Sequence, residues 1–288
     1  MNWCDTKLGE VLIFKNGKKR PSENGEIPVY GGNGILGFSN QANNENCIVI
    51  GRVGAYCGSV YYEHGKCWVS DNAICAIPKD ENDISFLYYL LKHLELNKKH
   101  IGTSQPLLTQ EILNSIMCKV PERDQQLKIG RVLCCIDEKI ECNKRINDNL
   151  QQQASAIYQA WFEEFLLSGG SCPSTWKHGI LADIANITSG KRPSVKFFEM
   201  TENAVIPIVG AASIMGYTSE SNHTDKILVT GRVGTHGVIQ RFSSPCWTSD
   251  NTLVITSDLY EYTYQLLKRP ANKSQVPKQE NSLTDRCP

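Results

Sequence analysis

The chain has no apolar run near the ~18 residues that a membrane-crossing helix needs. Its hydrophobic stretches are short and broken by Gly, Asn or charge. The opening residues, Met1-Asn2-Trp3-Cys4-Asp5-Thr6-Lys7, lack the charged-then-apolar pattern of a secretory signal. No membrane association and a cytoplasmic location are therefore expected. Net charge is missing too, because 30 Lys and Arg balance 30 Asp and Glu. Total charge thus gives no basic footprint of a nucleic-acid binder, and any positive surface must come from arrangement. One cluster stands out: Lys15, Lys18, Lys19 and Arg20.

Other absences concern chemistry. The 12 cysteines include no Cys-x-x-Cys pair, so a zinc ribbon or finger has no support. Reduced, mostly buried cysteines acting as small hydrophobes are the expectation. The sequence contains no Walker A loop, no Gly-x-Ser-x-Gly elbow, no His-Glu-x-x-His and no Asn/Asp-Pro-Pro-aromatic tetrapeptide. The 6 histidines (64, 93, 100, 178, 223, 236) share no position between the two halves described next. No catalytic residue, metal site or cofactor is expected in this chain.

What is present is an internal repeat, the first thing to seek in a sequence. Leu8-Gly9-Glu10 answers to Leu181-Ala182-Asp183, and Gly17-Lys18-Lys19-Arg20-Pro21 to Gly190-Lys191-Arg192-Pro193. Ile27-Pro28-Val29 answers to Ile206-Pro207-Ile208. Gly51-Arg52-Val53-Gly54 recurs as Gly231-Arg232-Val233-Gly234, and Cys67-Trp68-Val69-Ser70-Asp71-Asn72 as Cys246-Trp247-Thr248-Ser249-Asp250-Asn251. The matches keep their order at a nearly constant offset, which chance does not produce.

Each copy reads as mixed and strand-rich. Cys47–Ile50, Ser59–Tyr62 and Ala73–Ile77 are short apolar runs closed by Gly, polar residues or Pro, as strands are. Ile84 to Leu96 has helical spacing, and Pro106 to Ile116 predicts a shorter helix capped by Thr109.

Between the copies lies a different object. From Pro121 to about Phe165 the only Gly is Gly130, and no further Pro occurs. Ile129, Leu133, Ile136, Ile140, Asn143, Asn147, Leu150, Ala154, Ile157 and Trp161 step alternately by four and three. That is a heptad seam, with two Asn positions able to fix register and partner number. A lone helix cannot bury such a seam, so a partner helix is implied. Ser168-Gly169-Gly170-Ser171-Cys172-Pro173 then breaks the helix.

The candidate contact motifs each carry two readings. Gly32-Asn33-Gly34-Ile35-Leu36-Gly37 fits the dinucleotide pattern, but a loop composition follows where a helix is required, so a glycine-rich turn is the better account. The Gly-Arg-x-Gly turns at Arg52 and Arg232 suit a phosphate or a guanine edge; a tight turn with a solvated Arg accounts for them equally. The Ser-Asp-Asn loops suit phosphate or base contacts, and an Asx-type turn that merely holds the loop is the stronger alternative.

As an ordered set, these residues resemble the specificity subunit of type I restriction–modification enzymes. The set comprises Trp-x-x-x-x-Leu-Gly-Glu, Gly-Lys-x-Arg-Pro, Ile-Pro-Val-Tyr-Gly-Gly, Gly-Arg-x-Gly, Ser-Asp-Asn, Gly102-Thr103-Ser104-Gln105-Pro106, the Val120-Pro121 junction and a long heptad helix with Gln125-Gln126 near its start. The resemblance covers roughly residues 1–268. It implies an α+β fold, with two target recognition domains (1–120 and 168–268) separated by a long coiled-coil spacer helix (121–167). Each domain reads one half of a split site on double-stranded DNA. Catalysis belongs to partner modification and restriction subunits, which carry S-adenosylmethionine, ATP and magnesium. Contacts are expected from Lys18, Lys19, Arg20, Asn33, Arg52 and Asn72, with Arg192 and Arg232 as counterparts.

One departure concerns the second copy. Leu266-Leu267-Lys268 answers to Leu90-Leu91-Lys92, but no second Gly-Thr-Ser-Gln-Pro segment and no second seam follow. The expectation is a C-terminally truncated subunit, with an incomplete second domain and a disordered tail over 269–288. Three outcomes stay open: a half-subunit that homodimerises through 121–167, a protein scaffold, or an inactive product.

Overall fold

The computed structural model describes residues 3–102, 105–233 and 237–269. The chain folds as two units, Met1–Asn147 and Asp148–Pro288, and its class is α+β. The expected disordered tail, apart from Arg269, lies outside the described residues, as do Thr103, Ser104 and Gly234 of the sequence motifs.

The first unit begins with β1 (Trp3–Lys7), α1 (Leu8–Val11), β2 (Leu12–Asn16), β3 (Ile27–Gly31), β4 (Gly34–Ser39) and β5 (Asn44–Gly51). It continues through β6 (Val60–Val69), β7 (Ala73–Pro78), α2 (Ile84–His93), α3 (Gln110–Ser115), β8 (Met117–Pro121) and the start of α4 (Arg123–Phe162). Six strands form one sheet in the order β2-β7-β5-β6-β3-β4, and β1 pairs with β8 beside it. The unbroken apolar run of β5 follows from its central place. Ile48 and Ile50 face a core with Leu8, Leu12, Ile74, Leu87 and Leu91, while Cys47 and Val49 face a second core with Tyr30, Cys67, Val69 and Cys75. A strand buried on both faces has no position left for a polar residue.

The helices lie where the spacing places them. Asp83 caps α2 by accepting from Phe86 N at 2.8 Å, and Thr109 caps α3 by accepting from Ile112 N at 3.2 Å. Each satisfies an amide that the first helical turn leaves without a partner.

The second unit repeats this plan in pieces. It contains β9 (Asn186–Ser189), β10 (Ile206–Val209), β11 (Ile214–Thr218), β12 (Ile227–Gly231), β13 (Gln240–Phe242), β14 (Trp247–Thr248), β15 (Thr252–Thr256) and α5 (Tyr260–Lys268). Its sheets run β13-β12-β15-β9 and β11-β10-β14. The ten-residue β6 of the first unit joins both halves of its sheet; its counterpart here is split into β13 and β14, and the sheet divides with it. The parallel pairing to the Trp strand survives, as Val29↔Trp68 in one unit and Ile208↔Trp247 in the other.

Six of the described cysteines are buried and none forms a disulfide. Burial pushes the Cys118 and Cys246 thiols up to about 11, so both stay protonated near neutrality. No described helix is long and apolar enough to cross a membrane.

Candidate nucleic-acid interface

Motifs far apart in sequence meet on one loop of the first unit. Gly17 N donates to Ala73 O and Lys18 N to Val69 O, each at 3.0 Å, which lays the basic turn across the Trp strand. A Cβ on Gly17 would stand 1.9 Å from the Ser70 carbonyl oxygen, so no other residue fits. The Trp68 indole N–H donates to Lys18 O at 3.2 Å. Ser70 N donates to Tyr30 O at 2.9 Å, and Arg52 N to Asn72 O at 3.0 Å. Gly32 packs against the same place, its would-be Cβ 3.6 Å from both Asn72 O and Val53 O. The Gly-Lys, Gly-Gly-Asn-Gly, Gly-Arg-Val-Gly and Ser-Asp-Asn segments thus share one knot, where main-chain groups satisfy each other.

The second unit ties the same knot. Gly190 N donates to Thr252 O at 3.1 Å, Lys191 N to Thr248 O at 2.9 Å, Ser249 N to Val209 O at 3.1 Å and Arg232 N to Asn251 O at 2.9 Å. Trp247 donates to Lys191 O at 2.7 Å. The recurrence gives the glycines, the Trp and the backbone of Ser-Asp-Asn a structural role. Among the described residues, the buried Ser70 and Ser249 hydroxyls and Arg52 Nε meet no hydrogen-bond partner.

The side chains of Lys18, Lys19, Arg20, Asn33 and Asn72 are exposed around the first knot, and Arg52 is half-buried. The sequence-predicted residues of this unit therefore come together. Their counterparts match less closely. Arg192 pairs with Asp250 at 3.1 Å, an exposed ion pair of small energetic value. Arg20 instead lies over Gly37, whose would-be Cβ is 2.6 Å from Arg20 Nη2. The equivalent Gly216 is approached by Lys196, with Cε 3.0 Å away. The stem of Lys196, and not Arg192, thus packs on the glycine that answers to Gly37.

Two further correspondences lie outside the five matched motifs. Asn43 brackets Val69 by accepting from its N–H at 2.8 Å and donating to its carbonyl at 3.0 Å. Asn222 brackets Thr248 in the same way, at 2.8 and 3.2 Å. Likewise Ile35-Leu36-Gly37-Phe38-Ser39 answers to Ile214-Met215-Gly216-Tyr217-Thr218. The signal was in the sequence, as a sixth match at the same offset. It is weak because only two of its five pairs, Ile35/Ile214 and Gly37/Gly216, are identical.

The expected seam residues fall into two environments. Ile129 packs on the first unit's core. Leu133 lines an apolar recess with Trp3, Phe86 and Leu90. By contrast Ile136, Ile140, Asn143, Asn147, Leu150, Ile157 and Trp161 are exposed. The stripe rotates because a straight helix has 3.6 residues per turn while the seam repeats every 3.5. Near its end α4 turns another face, Tyr158 and Phe162, onto Tyr262 of α5, with ring centroids 5.5 and 5.0 Å apart. The start of α4 is fixed by Gln126, the second of the Gln pair. It donates to Asn82 Oδ1 and Pro121 O and accepts from Asp83 N, all at 2.9 Å.

Residues 1–152 match the family described as type I restriction modification DNA specificity domain. The EcoprrI specificity subunit of Escherichia coli is 27% identical over 135 residues, covering 44% of this chain and 34% of that protein. The MjaIX specificity subunit of Methanocaldococcus jannaschii is 31% identical over 148 residues, covering 46% and 34%. The matches thus span about a third of the length of these curated relatives. The crystal structure of a type I restriction–modification S subunit from M. genitalium shares the fold, with a TM-score of 0.67 and 21% identity over 93% of this chain and 76% of that one.

Proposed function

The chain belongs to the type I restriction modification DNA specificity domain family, and on that premise we propose that it is a sequence-specific DNA-binding subunit and not itself an enzyme. The observation that carries this reading is the duplicated knot. Two copies keep the same backbone frame and each surrounds it with exposed basic and polar side chains, as suits a module that is presented to DNA twice. Residues 1–120 and 168–268 are taken as the recognition domains and 121–167 as the spacer between them. Lys18, Lys19 and Arg20 serve phosphates, while Asn33, Arg52 and Asn72 serve base edges, with Arg192, Arg232 and Lys196 acting in the second copy. Modification and restriction subunits supply the chemistry in the cytoplasm, with S-adenosylmethionine, ATP and magnesium on those subunits.

Band shifts on mixed-sequence duplex DNA test this. Lys18→Ala with Lys19→Ala is expected to weaken binding and to flatten the slope of log K against log salt by about 0.9 per lost phosphate contact. Arg52→Ala is expected to weaken binding markedly at fixed salt. No retardation, with or without a modification subunit, overturns the reading.

The exposed row from Ile136 to Trp161 favours a second proposal, a homodimer through residues 121–167. Light scattering then gives twice 32.2 kDa. A scaffold role is what remains if the helix pairs and no DNA is retained.

A further inference from the structure

The β3–β4 hairpin joins the rest of its sheet through only two residue pairs, Val29↔Trp68 and Tyr30↔Val69. It is a two-stranded ribbon whose outer strand, β4, ends the sheet. That strand carries Ile35, Leu36 and Phe38 at 52%, 47% and 51% exposure. An edge strand with three large apolar side chains in water invites edge-to-edge association, and folded proteins normally blunt such edges with charge or Pro. Here the apolar surface is built, not incidental. The register slips between Val29 and Tyr30, so that Leu36 becomes the extra residue of a β-bulge. Leu36 lies over Gly31, where a Cβ would stand 2.4 Å from Leu36 Cδ1, so the glycine makes room for it.

The second unit repeats the device. Its register slips between Ile208 and Val209, Met215 is the extra residue, and Met215 lies over Gly210. Ile214, the counterpart of Ile35, is 48% exposed. A basic side chain packs beside each bulge, Arg20 through its guanidinium and Lys196 through its aliphatic stem, supplied from different sequence positions. Keeping an apolar bulged edge and a basic side chain packed against it while changing the residues that provide them is what a shared class of ligand would demand.

We propose that these two bulged hairpin edges, Ile35-Leu36 and Ile214-Met215, are specificity determinants that read thymine C5-methyl groups in the major groove of duplex DNA. The inference rests on the DNA-binding reading above. The major groove admits a two-stranded ribbon, and the thymine methyl is its one apolar recognition element. Arg20, which donates to Leu36 O at 3.5 Å, and the exposed Lys18 and Lys19 on the same basic turn give the charge complementarity that places the bulge against phosphates, so the occupant is DNA and not an apolar protein surface.

The test uses the full chain and a duplex pool with a randomised stretch. The enriched duplex is then remade with uracil in place of thymine, which removes only the methyl groups. Wild type is expected to lose about three- to tenfold in affinity on the uracil duplex. Ile35→Ala with Leu36→Ala, and separately Met215→Ala, should each erase part of that loss without changing the salt slope. Phe38→Ala gives an independent variant outside the bulge should the first pair fold poorly. Equal thymine-to-uracil losses in wild type and variants, or no loss in wild type, overturn the hairpin proposal while leaving DNA binding intact. Failure of wild type to retain any DNA overturns both.

Discussion

The indole N–H of Trp68 donates to the Lys18 carbonyl 3.2 Å away, so a residue on the central Trp strand positions the basic turn. Trp68→Phe keeps most of the apolar contact and removes the donor. A loss of about 1 kcal/mol in unfolding free energy is expected. DNA affinity should fall by more than that predicts, because Lys18, Lys19 and Arg20 lose their anchor. A variant whose affinity loss equals that of an equally destabilised core mutant would show that the bond serves stability alone.

Gly130 is the only glycine in α4, and it faces the start of α2. A Cβ there would stand 2.5 Å from Asp83 Oδ1 and 3.1 Å from Phe86 N. Ala is worth about 1 kcal/mol over Gly inside a helix. Overpacking against an immobile cap costs about 1–3 kcal/mol. Gly130→Ala is therefore expected to lower Tm despite its better helix propensity. A raised Tm would mean that the helices separate at no cost.

The exposed seam makes a sharper demand. Ile136→Asp with Ile140→Asp places charge on the stripe without touching either core. A paired helix cannot accept those charges, whereas a solvated one can. The expected result is a fall in light-scattering mass from a dimer to a monomer, with folding retained by circular dichroism. An unchanged dimer would move the interface elsewhere.

His223 titrates within a partly buried bridge, where it exchanges main-chain hydrogen bonds with Cys246. Burial lowers its pKa, so the folded chain resists the proton that the unfolded chain accepts near pH ~6.5. Between the two values the unfolded state binds more protons. Stability is thus full above the unfolded value and is lost as pH falls towards the folded one. The urea midpoint should drop from pH 7.5 to 5.5, and His223→Asn should shrink that drop. Identical drops in both proteins would remove His223 from the account.

Much of the architecture was legible in the order of residues. The duplication needed only matched motifs, the strands needed apolar runs ending at Gly or Pro, and the helices needed their spacing and the cap Thr109. These are local signals, because hydrogen bonding and periodicity act over a few residues. The family resemblance came from the same ordered set, and the match over residues 1–152 agrees with it.

Tertiary structure decided what distance in sequence conceals. Only the folded chain shows that Gly17, Gly32, Arg52 and Asn72 meet on one loop, that the Lys196 stem packs on Gly216 where Arg20 packs on Gly37, and that Ile129 and Leu133 turn into the first unit while the seam residues from Ile136 to Trp161 stay open. The reason is physical. A motif fixes its own backbone, but strand pairing and helix rotation fix which motifs become neighbours. A single bulge residue or a tenth of a residue per turn is enough to change the face on which a side chain emerges.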